Sequence, residues 1–223
     1  MRFCSLIFLA FSVTAASAHF PYIVPEGPAK ARVVFSDNLK ADEKVPADRL
    51  ANLKLQAMTD GKADDLMMTL DKKANVYRLD VPGDGVRVVA GTLNYGVLQR
   101  GDAKPFLMKY HPKAVFGTWA SGGAAAGKIV PMEISPEKDE GKIRFVVTFN
   151  GQPLAKAEVS VLVPGEEKPK AVVTDAAGRT ELFDKPGQYG VQAKHAEAAS
   201  GDVDGKKYAE VRHYATLVVT VGK

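Results

Sequence analysis

The chain has 223 residues, 46% of them hydrophobic and 25% charged, which are the proportions of an ordinary globular protein and not of a disordered or repetitive one. Setting Arg2 aside leaves 29 of the 30 Lys and Arg against 26 Asp and Glu, scattered without a basic block or interleaved aromatic residues, which argues against a nucleic-acid partner. The single cysteine, Cys4, sits in the first apolar stretch, so beyond it there is neither a disulfide nor a thiolate ligand, and the fold must rest on its hydrophobic core.

Residues 1–18 read as a secretory signal. Met1 and Arg2 give a short basic start, Leu6 to Val13 an apolar run, and Ala16-Ser17-Ala18 the small residues accepted by a signal peptidase. The apolar run is shorter than the roughly 20 residues of a membrane-spanning helix, and no later stretch comes closer. Cleavage between Ala18 and His19 would place the mature protein in the periplasm or outside the cell, with His19 as its first residue and no transmembrane segment.

From His19 to about residue 120, short alternating runs predict a first β domain. They are "RVVFSD" at 32–37, "NLKLQAMT" at 52–59, "VYRLDV" at 76–81 and "VRVVAGTLNYGV" at 86–97. "PGDG" at 82–85 reads as a hairpin turn, and "PADRLANL" at 46–53 as room for one helical turn. Residues 121–140, rich in Gly and Ala and then in Pro and charge, read as a linker. Within them "GGAAAGKI" matches Gly-x4-Gly-Lys, but Ile129 follows the lysine where a magnesium-binding hydroxyl is required and no βα unit surrounds it, so the phosphate-loop reading is rejected.

Residues 141–223 alternate strands with Asn-Gly, Asp-x-x-Gly and Pro-Gly turns, about seven short strands in all, as expected for an immunoglobulin-like or prealbumin-like β-sandwich. The fold expected for the chain is therefore all-β, with two β-sandwich domains. The order Gly151-Gln-Pro153-Leu-Ala-Lys-Ala157, then Thr174-Asp175-Ala-Ala-Gly178, then Lys185-Pro186-Gly187 is similar to the sandwich repeats of carboxypeptidase regulatory domains and bacterial surface proteins.

Four histidines occur: His19, His111, His195 and His213. His195 shares a strand phase with Tyr189, Val191 and Ala193, and His213 with Val211, Ala215, Leu217 and Val219, so both lie in the apolar phase of their strands. Antiparallel pairing with Val191 opposite Leu217 would set His195 directly across from His213, with β-carbons about 5 Å apart. The loop that follows offers Glu197, Asp202 and Asp204 as further ligands. A mature N-terminal His19 would add its amine and its ring nitrogen, and with one more imidazole this makes a histidine brace, a donor set suited to Cu(II) or Ni(II) ahead of Zn²⁺ and Co²⁺. His111, ahead of Pro112, reads as a structural or surface residue.

"AHFPYIVP", "LNYGVLQRGDAKPFLMKYHPKAVFG", "GQYGVQAKH" and "YAEVRHYATLVV" together resemble a bacterial family of exported proteins associated with nickel and cobalt uptake as their periplasmic component. The resemblance implies His19, His195 and His213 as metal ligands, nickel, cobalt or copper as the ion, and a membrane metal transporter as partner. Phe20 and Tyr22 stand where that family often has Trp. The function expected is thus a non-enzymatic periplasmic protein that binds a divalent transition metal for uptake or delivery. Two alternatives are a copper-dependent oxidase using the histidine brace, for which Trp119 alone makes a poor aromatic substrate surface, and a metal-free structural or carbohydrate-binding β module. No Gly-x-Ser-x-Gly, His-Glu-x-x-His or Asp-x-Asp-x-Asp-Gly motif gives support to hydrolytic or calcium-dependent readings.

Overall fold

A computed structural model describes residues 19–120 and 124–222, so residues 1–18, expected to be a secretory signal, lie outside the described residues. In the first half the strands are β1 Phe20–Pro25, β2 Lys30–Ser36, β3 Lys54–Thr59, β4 Lys62–Leu66, β5 Thr69–Asp71, β6 Val76–Asp80, β7 Arg87–Leu98 and β8 Phe106–Phe116. In the second half they are β9 Met132–Asp139, β10 Lys142–Phe149, β11 Gln152–Pro153, β12 Glu158–Leu162, β13 Lys170–Val173, β14 Gly187–Glu197, β15 Gly201–Val203, β16 Lys206–Tyr208 and β17 Glu210–Val221. The helical turn expected near residue 46 is a 3-10 turn, Ala47–Leu50.

The all-β, sandwich-like fold is organised by one eight-stranded sheet in the order β13-β12-β14-β17-β8-β7-β3-β4. Its only parallel pairing among the described residues joins the two halves of the chain: β17 runs beside β8, with His213 opposite Lys109 and Ala215 opposite His111. The four-stranded sheet β1-β2-β6-β5 covers one face of it and the three-stranded sheet β11-β10-β9 covers the other. Because side chains alternate along a strand, β8 sends Phe106, Met108, Tyr110, Ala114 and Phe116 into the first core and Val115 into the second. β17 does the same, with Val218 in the first core and Ala215, Leu217 and Val219 in the second.

The Asn-Gly hairpin turn predicted from the sequence is formed, and three further hairpins share its geometry. Asn150 and Gly151 both have positive φ (50° and 77°) between β10 and β11, as a type I′ turn requires. Asp60-Gly61, Glu140-Gly141 and Asp204-Gly205 do likewise between β3 and β4, β9 and β10, and β15 and β16. "PGDG" at 82–85 is different. It does not close a hairpin, because β6 and β7 belong to different sheets; the same turn residues carry the chain from the covering sheet to the central one.

The linker expected at 121–140 is also corrected over residues 124–140, its first three residues lying outside the described residues. Met132–Asp139 forms β9, paired residue for residue with β10 and burying Met132 and Ile134 completely. Just before it, Ala124, Ala126 and Val130 are buried, and Trp119 is buried with its indole N–H directed at the Thr220 carbonyl, 3.4 Å away. Ala124 and Ala126 are thus packed into the core, while Gly127, at a φ of 61°, turns the chain with open space around it. Lys113 on β8 reaches the same region, fully buried and paired with Glu133, which also accepts the Ala126 backbone N–H and the Ser135 hydroxyl.

Candidate functional site

His19 stands immediately before β1, which pairs with β2 and lies across β8 and β17. Buried apolar side chains, Phe20, Tyr22, Ile23 and Val24, wedge this strand into the first core, and Thr216 on β17 fastens it by donating its hydroxyl to the Pro21 carbonyl at 2.6 Å. The Phe20 ring meets Tyr214 and Tyr110 at 5.5 and 6.2 Å between centroids. Phe35 on β2 meets His19, Tyr95 and Tyr110, each at 5.9 Å. Tyr95 owes its position to a bulge in β7, where the pairing with β8 gains one residue between Asn94 and Gly96 and Gly96 takes a φ of 123°. A bulge re-aims side chains in this way. The result is a hollow of about 320 Å³ walled by His19, Phe20, Phe35, Tyr95, Tyr110 and Tyr214, with the exposed Arg49 and Arg100 at its mouth.

The imidazole of His19 is fixed from outside the hollow. Its Nε2 donates to Asp42 Oδ2 at 2.6 Å, while Asp42 Oδ1 accepts the Lys44 backbone N–H at 2.8 Å. The bond from His19 is the main reason the Asp42 carboxyl is held below the usual carboxylate range. The loop carrying Asp42 is tied in turn by Asn75, whose Nδ2 donates to the carbonyls of Asp42 and Val45 at 2.7 and 2.9 Å and whose Oδ1 accepts the Ala47 N–H at 2.8 Å. With Nε2–H given to a carboxylate, the lone pair of His19 lies on Nδ1, the ring nitrogen next to the backbone. Tyr110 donates its hydroxyl to the His19 carbonyl at 3.3 Å, and burial pushes that phenol well above its ordinary pKa, so it stays protonated.

The other histidines gather on the opposite face of the sheet. His195 does pair with His213 in the expected register, Val191 with Leu217 and Ala193 with Ala215. Their rings lie 6.4 Å apart, and both rest against Phe149 of β10, at 4.5 and 4.9 Å. His111, expected to be structural or at the surface, is buried and joins them: Thr92 Oγ1 is 3.1 Å from His111 Nδ1, His111 Nε2 is 2.9 Å from His213 Nδ1, and His213 Nε2 is 3.1 Å from Glu197 Oε2. One proton arrangement satisfies the whole run. The Glu197 carboxylate can only accept, so His213 donates from Nε2; its Nδ1 then accepts from His111, whose Nδ1 accepts the Thr92 hydroxyl. Burial lowers the pKa of both imidazoles, that of His111 to about 3, so both are neutral in this run.

The three expected ligands are therefore not brought to one place. Tyr214 faces Phe20 and the His19 hollow, and its neighbour His213 necessarily faces the other way, towards Phe149. His213 also has both ring nitrogens engaged. Among the described residues no group of three or more His, Cys, Asp and Glu side chains is placed to hold a metal ion. Of the loop acids, Glu197 is recruited to His213, while Asp202 and Asp204 belong to the β15–β16 hairpin. Asp42 and Asn75, which sequence reasoning missed, shape the His19 site; the one local signal for Asp42 is the run of polar turn residues "DNLKADEK" after β2, and Asn75 lies more than thirty positions away in the turn between β5 and β6.

The family model described as "Domain of unknown function (DUF4198)" matches residues 16–197. The chain belongs to this family. The matched stretch of this DUF4198 chain includes His19, Asp42 and every aromatic wall of the hollow except Tyr214. No curated protein matches the chain. Among solved structures, it is similar to a segment of two fibronectin type III domains from chicken tenascin, with 13% identity over 88% of this chain and 97% of that one and a TM-score of 0.22. It is also similar to the GBS pullulanase SAP in complex with maltotetraose, with 9% identity over 86% of this chain and 26% of that one and a TM-score of 0.19. Overlays this loose define no shared topology. Among the described residues no helix is long and apolar enough to cross a membrane.

Proposed function

We propose that the processed protein is a periplasmic carrier of a divalent transition metal, nickel, cobalt or copper, which it captures at His19 and passes to a membrane transporter. One observation carries this reading: Asp42 holds Nε2 of His19 at 2.6 Å, which leaves Nδ1 available. Removal of residues 1–18 would free an amine on the same residue, and amine and Nδ1 then form a two-nitrogen chelate suited to Cu(II) or Ni(II). A carboxylate on the distal ring nitrogen is the usual support for a metal-binding histidine. His195 and His213 play no part in this chelate, since they occupy the other face of the sheet. That geometry also weakens the copper-oxidase alternative, which needs a second imidazole beside the first. The aromatic walls favour the carbohydrate-binding alternative as a second reading, in which the hollow takes a small sugar without metal.

The test is calorimetry on protein exported and processed at Ala18. Ni²⁺, Co²⁺ and Cu²⁺ are titrated into it and into a version carrying one extra residue ahead of His19. Loss of affinity in the extended version supports the chelate; equal affinity in both removes the amine from the site. Sugar binding unaffected by a chelator would favour the second reading.

A further inference from the structure

The His19 chelate is incomplete in its surroundings. A divalent first-row ion takes four to six donors, and two nitrogens fill at most half of them. The hollow adds no second imidazole and no free carboxylate: both Asp42 oxygens are already hydrogen-bonded, and Tyr110 spends its hydroxyl proton on the His19 carbonyl. What the hollow does add is positive charge at its mouth. Arg100 and Arg49 are both exposed, neither forms an ion pair with a carboxylate of the described residues, and the single side-chain hydrogen bond of Arg49 is a 3.3 Å contact with the Tyr95 hydroxyl. Elsewhere on the surface the arginines are paired, Arg32 and Arg78 with Glu26, Arg78 also with Asp71, Arg144 and Arg179 with Glu137, and Arg212 with Glu210. Two unneutralised guanidiniums, which bind carboxylates through paired N–H donors, thus stand over a cavity large enough for a small organic acid.

Resting on the metal-carrier reading, we infer that the cargo is not the bare ion but the ion bound to a small polycarboxylate, whose oxygens complete the coordination sphere while Arg49 and Arg100 hold its remaining carboxylates. The flat aromatic walls exclude water from the far side of the complex, and the arginines select against neutral chelators. The charges balance in kind: a dication with a trianionic acid carries net negative charge, opposite to the mouth of the hollow.

The experiment is equilibrium dialysis of processed protein with radiolabelled citrate, with and without equimolar Ni²⁺, beside calorimetry with Ni²⁺ alone. Wild type should retain citrate one-to-one with Ni²⁺ and only when Ni²⁺ is present. The double variant Arg49→Ala, Arg100→Ala should retain citrate roughly tenfold less well or worse, while binding Ni²⁺ alone as wild type does. Citrate that strips Ni²⁺ from wild type, or citrate retention unchanged by the double substitution, overturns this inference and leaves the carrier reading standing. Citrate retained equally without Ni²⁺ overturns it in favour of a plain acid-binding site. Failure to bind Ni²⁺ in either form sinks both.

Discussion

Nε2 of His111 lies 2.9 Å from Nδ1 of His213, the two rings nearly parallel at 19°, with Thr92 at one end of the run and Glu197 at the other. Burial is the main cause that lowers the His111 pKa, from an ordinary 6.5 to about 3, and the neighbouring His213 and Lys109 lower it further. A histidine whose folded pKa is depressed leaves the unfolded chain binding the extra proton between those two values. Stability should therefore be at its full value above about pH 6.5 and fall as the pH drops towards 3, by up to about 1.4 kcal/mol per pH unit from this one group. Urea midpoints at pH 7.5, 6 and 5 measure it. His111→Gln should start less stable at pH 7.5 by roughly 1–3 kcal/mol and lose less on acidification; an undiminished acid slope would mean that His111 is not the group responsible.

Replacing Asp42 by Asn keeps the shape of the side chain but lets an amide N–H face Nε2 of His19. The imidazole then carries its proton on Nδ1, the nitrogen the chelate needs. Metal affinity of Asp42→Asn should drop roughly 10- to 100-fold with an unchanged melting temperature, read by calorimetry and differential scanning. Wild-type affinity in this variant would show that the tautomer plays no role.

Lys113 is fully buried and its ammonium is matched by Glu133. Lys113→Met strands that carboxylate in the interior and should cost about 3–5 kcal/mol, a fall in Tm of roughly 10 °C for a chain of this size. Adding Glu133→Gln removes the stranded charge while keeping an acceptor for the Ala126 N–H and the Ser135 hydroxyl. The double variant should regain most of the loss in thermal melts, and a double variant no more stable than Lys113→Met would place the cost in lost packing instead.

Gly91 lies in β7 where β3 passes very close: a Cβ there would come within 1.9 Å of the Lys54 carbonyl oxygen and 2.8 Å of Leu55 Cδ2. Backbone cannot yield as a flexible side chain does. Gly91→Ala should therefore force β3 from β7 and cost at least about 2 kcal/mol, whereas Gly61→Ala, at a φ of 79° but with open space around it, should cost only about 1 kcal/mol. Thermal denaturation of the two variants side by side orders them.

Local pattern alone determined a good deal. Alternation of apolar and polar residues placed β2, β3, β6 and β7 within about two residues but not β1, β8 or β9, and the Asn150-Gly151 turn was readable because only a few residues tolerate two successive positive φ values. That His195 and His213 lie in the apolar phase of their strands was readable for the same local reason, and the expected register, Val191 opposite Leu217, is the one formed. The tertiary structure decided everything that depends on which strand meets which. "PGDG" satisfies a hairpin and a crossover equally well, and the alanines before β9 fit tight packing as well as a linker. Above all, a period of two states that His213 and Tyr214 face opposite ways but not what covers each face. Only the parallel docking of β17 on β8, and of β1 across both, put His19 with the tyrosines and Asp42 and sent His213 to His111 and Glu197. Those contacts join residues from 16 to nearly two hundred positions apart, and their energy comes from burying faces that no short window of sequence contains.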